Sequence, residues 1–205
     1  MAHHLNGRDG ARLVDRKEEQ RLIAQAVRGN ADAFATLYRA HVQAIYRYIV
    51  HRVGDAQMAE DFTADVFTRA LKSMSAYQDQ GKPFLAWLYR IAHARVVDYY
   101  RRRGRRPDEA ELDDLPIAVV DDVESDLLRD QAAAALRTAL SSLTDEQQQV
   151  VILRFIEGKN LEETAVIMGK NANAIKALQH RALRAIGSRL ERSGFDLENI
   201  LSGLS

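Results

Sequence analysis

Cysteine is absent from this chain of 205 residues. Without thiols the protein has no disulfide, no thiolate nucleophile and none of the zinc sites that require sulfur ligands. Proline is rare and occurs three times, as Pro83, Pro107 and Pro116. Long hydrophobic runs are also missing, since no stretch approaches the roughly 20 apolar residues of a membrane span. The first 20 residues are polar and charged, unlike a secretion signal, so we expect a cytoplasmic protein.

Charge of either sign is not in excess, because 29 basic residues balance 29 acidic ones. A neutral total argues against a nucleic-acid-binding protein. The distribution argues the other way. Residues 95–106 contain six arginines and a single acid, Asp98, whereas residues 108–126 contain nine acids and no base. A basic block therefore lies directly before an acidic one, which is the charge asymmetry of a protein that contacts nucleic acid.

Helical periodicity fades between Gly104 and about Ser125, and two of the prolines, Pro107 and Pro116, lie within this stretch. We therefore predict an all-α protein in which two small helical domains, an N-terminal bundle and a C-terminal helix-turn-helix domain, are joined by an acidic linker. The expected organisation is a flexible leader over 1–17, a first domain over 18–106, the linker over 107–126, a second domain over 127–190 and a tail over 191–205.

Four apolar stripes at helical spacing predict the bundle of the first domain. They cover residues 22–27, 34–53, 59–71 and 84–99. Gly54 and Asp55 are a stop signal and an N-cap between the second and third helices, and Pro83 suits the first turn of the fourth. No stretch alternates for long with period two, so we expect no sheet.

The second domain contains a short predicted helix, a turn with Gly169 and a longer helix, which together indicate a helix-turn-helix. Another helix precedes the helix-turn-helix. Thr144 and Gln147 form a capping box at its start, and we expect it to run to Ile156. The longer helix, 172–190, turns a polar and cationic face outward, as a helix that enters the major groove does. An ordinary helical hairpin remains the alternative for this pattern. The outward residues are Asn173, Lys176, Gln179, His180, Arg181 and Arg184, with Asn171 as the N-cap.

Two further features of the first domain suit single-stranded nucleic acid. Arg101 and Arg102 follow a helix that carries Trp87 and Tyr99, and arginines beside aromatic rings suit backbone contact with base stacking. A solvated helix end would have the same composition. The polar loop over residues 73–82 is a candidate pocket for an unpaired base, although, taken alone, a plain surface connection is the better explanation.

Four segments, in order, resemble the extracytoplasmic-function (ECF) group of bacterial RNA polymerase sigma factors. Ala33-Phe34-Ala35-Thr36-Leu37-Tyr38 resembles the opening helix of the first domain in that family, and residues 55–67 resemble its polymerase-binding helix. Residues 83–92 with Asp98-Tyr99-Tyr100-Arg101-Arg102 resemble the helix after the promoter-melting loop. Residues 161–176 resemble the DNA-reading helix-turn-helix.

The resemblance implies a protein that binds core RNA polymerase and promoter DNA without catalytic activity, cofactor or metal. Contact with the clamp helices of the largest polymerase subunit would fall to Asp61, Asp65, Phe67 and Arg69, and the second domain would meet the flap of the second-largest subunit. The −10 element and melted strand would be held by Ser75, Tyr77, Gln78, Asp79, Lys82, Trp87, Arg90, Arg95, Arg101 and Arg102. The −35 element would be read by Asn171, Asn173, Lys176, Ala177, His180, Arg181 and Arg184. The acidic linker would thread the polymerase channel, and an anti-sigma factor is a possible further partner.

Three departures from the family pattern affect these expectations. Ala64 stands where a glutamine is usual, Ala94 replaces an asparagine that often helps at the melted strand, and Ala177-Leu178-Gln179 changes the outward positions of the reading helix. A stand-alone helix-turn-helix regulator and a helical enzyme are the competing classes. The chain has neither a phosphate-cradling glycine loop nor a His-Glu helical metal motif. The tail would pack on the second domain or bind a regulator.

Overall fold

The computed structural model describes residues 16–102, 135–136 and 138–194, and every regular element within these ranges is helical. The all-α prediction is thus confirmed. The described α-helices are α1 (Arg16–Val27), α2 (Ala31–Val53), α3 (Ala56–Ser73), α4 (Phe84–Arg102), α5 (Asp145–Val151), α6 (Leu161–Met168) and α7 (Ala172–Arg192). The predicted acidic linker, most of the leader, and the tail beyond residue 194 lie outside the described residues.

Helices α1 to α4 form the first domain, and short capped turns join the first three. Asn30 is the N-cap of α2, because its side chain accepts a hydrogen bond from the backbone N–H of Ala33 at 3.0 Å. Gly54 ends α2 with φ +73°, a left-handed conformation that glycine adopts without strain. Asp55 then caps α3 through the N–H of Met58 at 2.6 Å. The local cap signals therefore set the helix boundaries.

The connection from α3 to α4 is the longest one in the described part of the first domain. One 3₁₀ turn, Met74–Ala76, is followed by an open loop that reaches Pro83. Gly81 has φ +72° within this loop, and its N–H donates to Asp79 Oδ1 at 2.8 Å. Helix α4 begins at Phe84, directly after Pro83, as the sequence predicted.

Helix α5 begins at the predicted capping box, in which Thr144 and Gln147 exchange hydrogen bonds. The helix reaches Ile156 as predicted, but its geometry changes on the way, because the α-helix ends at Val151 and a π-helical turn covers Ile152–Ile156. A π-turn inserts one residue and so rotates the following side chains by about 100° around the helix axis. Phe155 is consequently 54% exposed, although its apolar character suggested an inward position.

Helices α6 and α7 form the predicted helix-turn-helix. Asn160 and Glu163 make a second capping box at the start of α6, which the sequence analysis missed. Gly169 ends α6 with φ +64°, and Asn171 caps α7 through the N–H of Ala174 at 2.8 Å. The inward stripe of α7 is buried as predicted: Ile175, Leu178, Ala182, Ile186 and Leu190.

The two domains are docked against each other. Ile152 and Leu153 of the π-turn and Ile167 of α6 belong to the same buried cluster as the core of the first domain. Leu85 and Val166 are half-buried against that cluster. Helix α4 therefore packs into the first domain on one side and against α6 on another.

Candidate protein and nucleic-acid interfaces

The exposed face of α3 carries Asp61, Asp65 and Arg69, which the sequence analysis assigned to polymerase binding. Asp61 is exposed, whereas Asp65 is held between two arginines. Its Oδ1 accepts from Arg69 Nε at 3.2 Å and its Oδ2 from Arg95 Nε of α4 at 2.6 Å. Burial alone would raise the pKa of Asp65, but the hydrogen bonds from the two arginines outweigh it and lower the pKa. The exposed face of α3 is therefore charged, and the pair of Asp65 and Arg95 links it to α4.

Phe67 does not lie on that surface. Its side chain is only 4% exposed and belongs to the core of the first domain, because it falls on the inward stripe of α3. Tyr38 of α2 packs edge-on against it, with ring centroids 4.8 Å apart, and is 41% exposed. The exposed aromatic ring at this surface is therefore that of Tyr38, and Phe67 supports it from the core.

A groove of about 310 Å³ lies between α2 and α3 beside Tyr38. We call it the α2–α3 groove. Leu71, also on α3, is another large apolar side chain that remains exposed. Together with the charged face of α3, this groove gives the first domain a mixed apolar and acidic surface, as protein interfaces often have. The groove is lined by Tyr38, Val42, Gln43, Tyr46, Glu60, Thr63 and Ala64.

The loop between α3 and α4 forms one wall of a pocket of about 690 Å³, and α4 forms the opposite wall. This loop pocket brings together five of the residues predicted at the melted strand: Tyr77, Gln78, Lys82, Trp87 and Arg90. It also includes Ser73 and Gln80, which belong to the candidate loop over residues 73–82, and Arg69, which the sequence analysis assigned to polymerase binding. Ala94, the departure from the family asparagine, also lines the wall and leaves it apolar at that point.

The remaining residues predicted at the melted strand lie elsewhere. Ser75 and Asp79 are exposed on the loop, and Asp79 is engaged with the N–H of Gly81. Arg95 turns toward α3, where its guanidinium lies 3.8 Å from the ring centroid of Phe62. Arg101 pairs with Asp98 at 3.1 Å on the same helix, and Arg102 is exposed at the helix end. These five positions are outside the loop pocket.

Three aromatic rings pack at the base of the loop pocket. Tyr77 lies 4.8 Å from Trp87 and 5.6 Å from Phe84, measured between ring centroids. Burial raises the pKa of Tyr77, and the nearby carboxylates of Asp79 and Glu19 raise it further. Its hydroxyl therefore stays protonated and can donate a hydrogen bond. Aromatic surface with amide and cationic groups at the rim suits a flat, polar ligand on a phosphate backbone.

Helix α1 supports this loop from behind. Arg16 donates to the carbonyl of Gly81 at 3.3 Å, although it falls within the predicted flexible leader. Glu19 lies 2.9 Å from His41 Nε2, and the His41 ring is 5.8 Å from that of Phe84. The sequence analysis missed this support, since no local pattern links α1 to residues 65 positions away.

The outward face of α7 is open. Asn171, Asn173, Lys176, Ala177, His180, Arg181 and Arg184 are all exposed. Gln179, which the sequence analysis counted among the outward residues, is half-buried and accepts a hydrogen bond from Arg154 Nε at 3.0 Å. The residues assigned to the −35 element thus form one accessible surface, which the docked first domain leaves uncovered.

Polar contacts cross the interface between the domains, and none of them was predicted. Arg52 of α2 is fully buried and pairs with Asp145, whose Oδ2 also lies 3.4 Å from His93 Nε2. At a second point the buried carboxylate of Glu157 accepts from Arg47 Nε and from one of its NH2 groups, each at 3.1 Å. It also accepts from the hydroxyl of Tyr89 at 3.1 Å. No sequence signal links residues that lie up to 110 positions apart.

Within residues 16–102 and 138–194 no group of three or more histidine, aspartate or glutamate side chains could hold a metal ion. In the same part of the chain no helix is both long and apolar enough to cross a lipid bilayer.

Comparison with known proteins supports the family resemblance on both domains. Residues 37–106 match the model for Sigma-70 region 2, and residues 139–186 match the model for Sigma-70, region 4. The ECF RNA polymerase sigma factor BldN of Streptomyces coelicolor is 38% identical over 190 residues, which cover 89% of this chain and 67% of BldN. The ECF RNA polymerase sigma factor SigD of Mycobacterium tuberculosis is 31% identical over 180 residues, with 84% of each chain covered.

Solved structures show the same fold. CnrH in complex with the cytosolic domain of CnrY is similar with a TM-score of 0.63, at 23% identity over 85% of this chain and 97% of that one. The sigma factor RpoE in its complex with NepR from Bartonella quintana gives a TM-score of 0.55, at 22% identity over 77% and 96%. Two matching regions in the family order, together with a relative at 38% identity, are sufficient to assign the family. The chain therefore belongs to the ECF RNA polymerase sigma factors, which direct RNA polymerase to promoters.

Proposed function

We propose that the two domains divide promoter recognition between them. The first domain, residues 18–106, binds the clamp helices of the largest polymerase subunit and holds an unpaired base of the −10 element. The second, residues 127–190, reads the −35 element, and the acidic linker over 107–126 threads the polymerase channel. The chain acts in the cytoplasm by binding, without a cofactor and without making or breaking covalent bonds.

The observation that carries this proposal is the loop pocket. At about 690 Å³ it is large enough for a nucleobase, and the rings of Tyr77 and Trp87 offer surfaces for stacking. The amides of Gln78 and Gln80 supply both donors and acceptors for the edge of a base. Lys82 and Arg90 place positive charge beside them, where a phosphate backbone would pass.

The second domain has the geometry of a major-groove reader. Lys176 and Arg181 provide cations for phosphates, and Asn173 and His180 are side chains that reach base edges. Helix α7 is capped by Asn171, so its first backbone N–H groups are ordered next to the DNA backbone. The half-buried position of Gln179 removes it from the set that reads the groove.

Two surfaces suit the polymerase. The α2–α3 groove with Asp61 and Leu71 fits the clamp helices, since it combines apolar contact with charge. Phe155 and Ile156 at the π-turn form a small exposed apolar patch on the second domain, which suits the flap of the second-largest subunit. Since structural neighbours were solved with the cytosolic domain of CnrY or the anti-sigma factor NepR, an anti-sigma factor is a further candidate partner for the same surfaces.

The experiment is promoter melting by the holoenzyme, measured by permanganate reactivity of unpaired thymines. Replacing both Gln78 and Gln80 with alanine removes the polar groups of the loop pocket without touching its aromatic base. We expect about tenfold less melting, since one to two hydrogen bonds to the base are lost. Gln20→Ala on the exposed face of α1 is the matched control and should melt as the wild type. Wild-type melting by the double variant, with intact polymerase binding, would refute the base-binding role.

A further inference from the structure

Helix α1 contacts both ends of the loop that forms one wall of the loop pocket. At the far end of the loop, Arg16 donates a hydrogen bond to the carbonyl of Gly81 at 3.3 Å. At the near end lies Tyr77, whose pKa is raised by burial and then by the carboxylates of Asp79 and Glu19. Glu19 of α1 is therefore close to the Tyr77 hydroxyl. Contacts at two ends of a loop constrain its path, whereas a single contact would only tether it.

Glu19 also reaches the aromatic base of the loop pocket through His41. Glu19 Oε1 lies 2.9 Å from His41 Nε2, and the two side chains are 17% and 13% exposed, so water is largely excluded from the pair. A carboxylate only accepts hydrogen bonds, so His41 Nε2 carries the donated hydrogen. The His41 ring packs on Phe84 with ring centroids 5.8 Å apart. Phe84 in turn lies 5.6 Å from Tyr77 and 5.3 Å from Trp87, again between ring centroids.

The contacts with the loop are not what holds α1 in place. Leu22, Ile23 and Ala26 bury the apolar stripe of α1 in the core of the first domain. Arg16 and Glu19 are three residues apart and precede that stripe, so they lie one above the other on one face of the helix. Helix α1 is therefore a fixed base from which two polar side chains reach the loop.

The loop itself has little regular structure. After the 3₁₀ turn at Met74–Ala76 it is open until Pro83. Gly81 keeps its left-handed conformation with its N–H bonded to Asp79 and its carbonyl bonded to Arg16. A loop that is ordered before its ligand arrives does not lose that conformational entropy on binding, so ordering it in advance raises the affinity.

We propose that Arg16 and Glu19 are positioning residues, which hold the loop pocket in the shape that receives a base before DNA is bound. We call Arg16, Glu19 and His41 the α1 brace. Its role in melting rests on the proposed function, in which the loop pocket binds an unpaired base. The proposal extends that function to Arg16, in the segment predicted as a flexible leader. Without the brace the loop samples other conformations, and only the fraction in the receptive shape captures the base.

A second charged pair on α1 provides a matched control. Glu18 and Arg21 form an exposed ion pair at 2.7 Å and contact each other within the helix. The brace variant is Arg16→Ala with Glu19→Ala, and the control is Glu18→Ala with Arg21→Ala. Each removes one cation and one carboxylate from the same helix, so net charge and helix propensity change equally. A conservative variant, Arg16→Lys with Glu19→Gln, keeps a donor and an acceptor at the two positions.

The first measurement uses the free full-length chain. Trp87 is the only tryptophan of the sequence and lies half-buried in the loop pocket, so its fluorescence reports on this pocket. Acrylamide should quench Trp87 more steeply in the brace variant than in the wild type, because a loop that leaves its place exposes the ring. The control should be quenched as the wild type. Circular dichroism and affinity for core polymerase should stay at wild-type values in both variants, since the apolar stripe still anchors α1.

The second measurement is promoter melting, by permanganate reactivity at equal holoenzyme concentration. The brace variant should melt about fivefold less, as expected when one to two hydrogen bonds that shape the pocket are lost. The conservative variant should recover most of this loss, and the control should melt as the wild type. Wild-type quenching or wild-type melting in the brace variant would overturn the proposal, and so would an equal loss of melting in the control.

Failure of the proposed function would give a different result. If the variant with both Gln78 and Gln80 replaced melts as the wild type, the loop pocket does not bind a base. Quenching of Trp87 in the free chain still decides in that case whether the α1 brace shapes the pocket.

Discussion

Lys176 and Arg181 on α7 give the sharpest prediction at the scale of single residues. Each cation that neutralises a phosphate releases a counterion, so the logarithm of the DNA affinity falls with the logarithm of the salt concentration. Replacing both residues with alanine should weaken promoter binding by the holoenzyme and should reduce the slope of that plot by about 2. Affinity for core polymerase should not change. Promoter affinity and polymerase affinity would be measured by fluorescence anisotropy over a series of salt concentrations.

Arg192→Ala is the control for these substitutions, because Arg192 is an exposed cation in the last turn of the same helix and its Nε donates to the carbonyl of Ser188. It should leave the slope unchanged. If the double variant keeps the wild-type slope, α7 does not contact the phosphates through this face.

At the scale of elements, the loop between α3 and α4 depends on the left-handed conformation of Gly81. A Cβ at Gly81 or at Gly29 would meet no atom within 4 Å, and both have positive φ, so alanine strains the backbone equally at each without a clash. Each substitution should lower the free energy of unfolding by about 1 kcal/mol. Only Gly81→Ala should reduce promoter melting, because only that position shapes the loop pocket.

Chemical denaturation and permanganate reactivity of the two holoenzymes would separate these effects. Equal melting by Gly81→Ala and Gly29→Ala would mean that the loop conformation does not matter for the base.

The same elements show what can be predicted from sequence. Caps are local signals, so Asp55, Thr144 and Asn171 were placed correctly, and the buried stripe of α7 followed from its spacing. The π-turn was missed because an apolar run such as Ile152–Ile156 has the same composition in either helix type. Glu157, at the end of the turn, meets Arg47 and Tyr89 of the first domain, and no local pattern encodes that contact.

The candidate sites were predictable to different degrees. Five residues of the loop pocket were assigned in advance, since a polar loop beside an aromatic helix is a recognisable pattern. Phe67 was misplaced because a family motif does not distinguish an exposed ring from one that supports it. The pair of Arg52 and Asp145 spans 93 residues, and a buried arginine within an apolar stripe gives no indication of its partner.

At the scale of the whole molecule, two partly buried histidines make the stability of the fold sensitive to pH. Burial lowers the pKa of His93; the carboxylates of Asp145 and Glu146 oppose this, and Arg52 adds to it. Burial also lowers the pKa of His51, against Glu157 and together with Arg47. Folding therefore favours the neutral form of both rings.

Protonation consequently favours the unfolded chain. A histidine whose pKa is depressed in the folded state binds fewer protons there, so the fold is most stable above the ordinary value of about 6.5 and weakens as the pH falls below it. The free energy of unfolding, measured by chemical denaturation, should fall as the pH drops from about 7.5 to about 5.5. His93→Gln should flatten that response. A flat profile in the wild type would show that these histidines do not control the stability of the fold.

Helix α4 contacts the loop pocket and the second domain with different sides. Arg90 and Ala94 line the loop pocket, while Tyr89 and His93 face the second domain. In the proposed function, capture of an extruded nucleotide on one side of α4 therefore does not require the second domain to leave the other side. On that proposal, contact with the melted strand and contact with the −35 element are separate events, and the first can begin while the two domains are still docked.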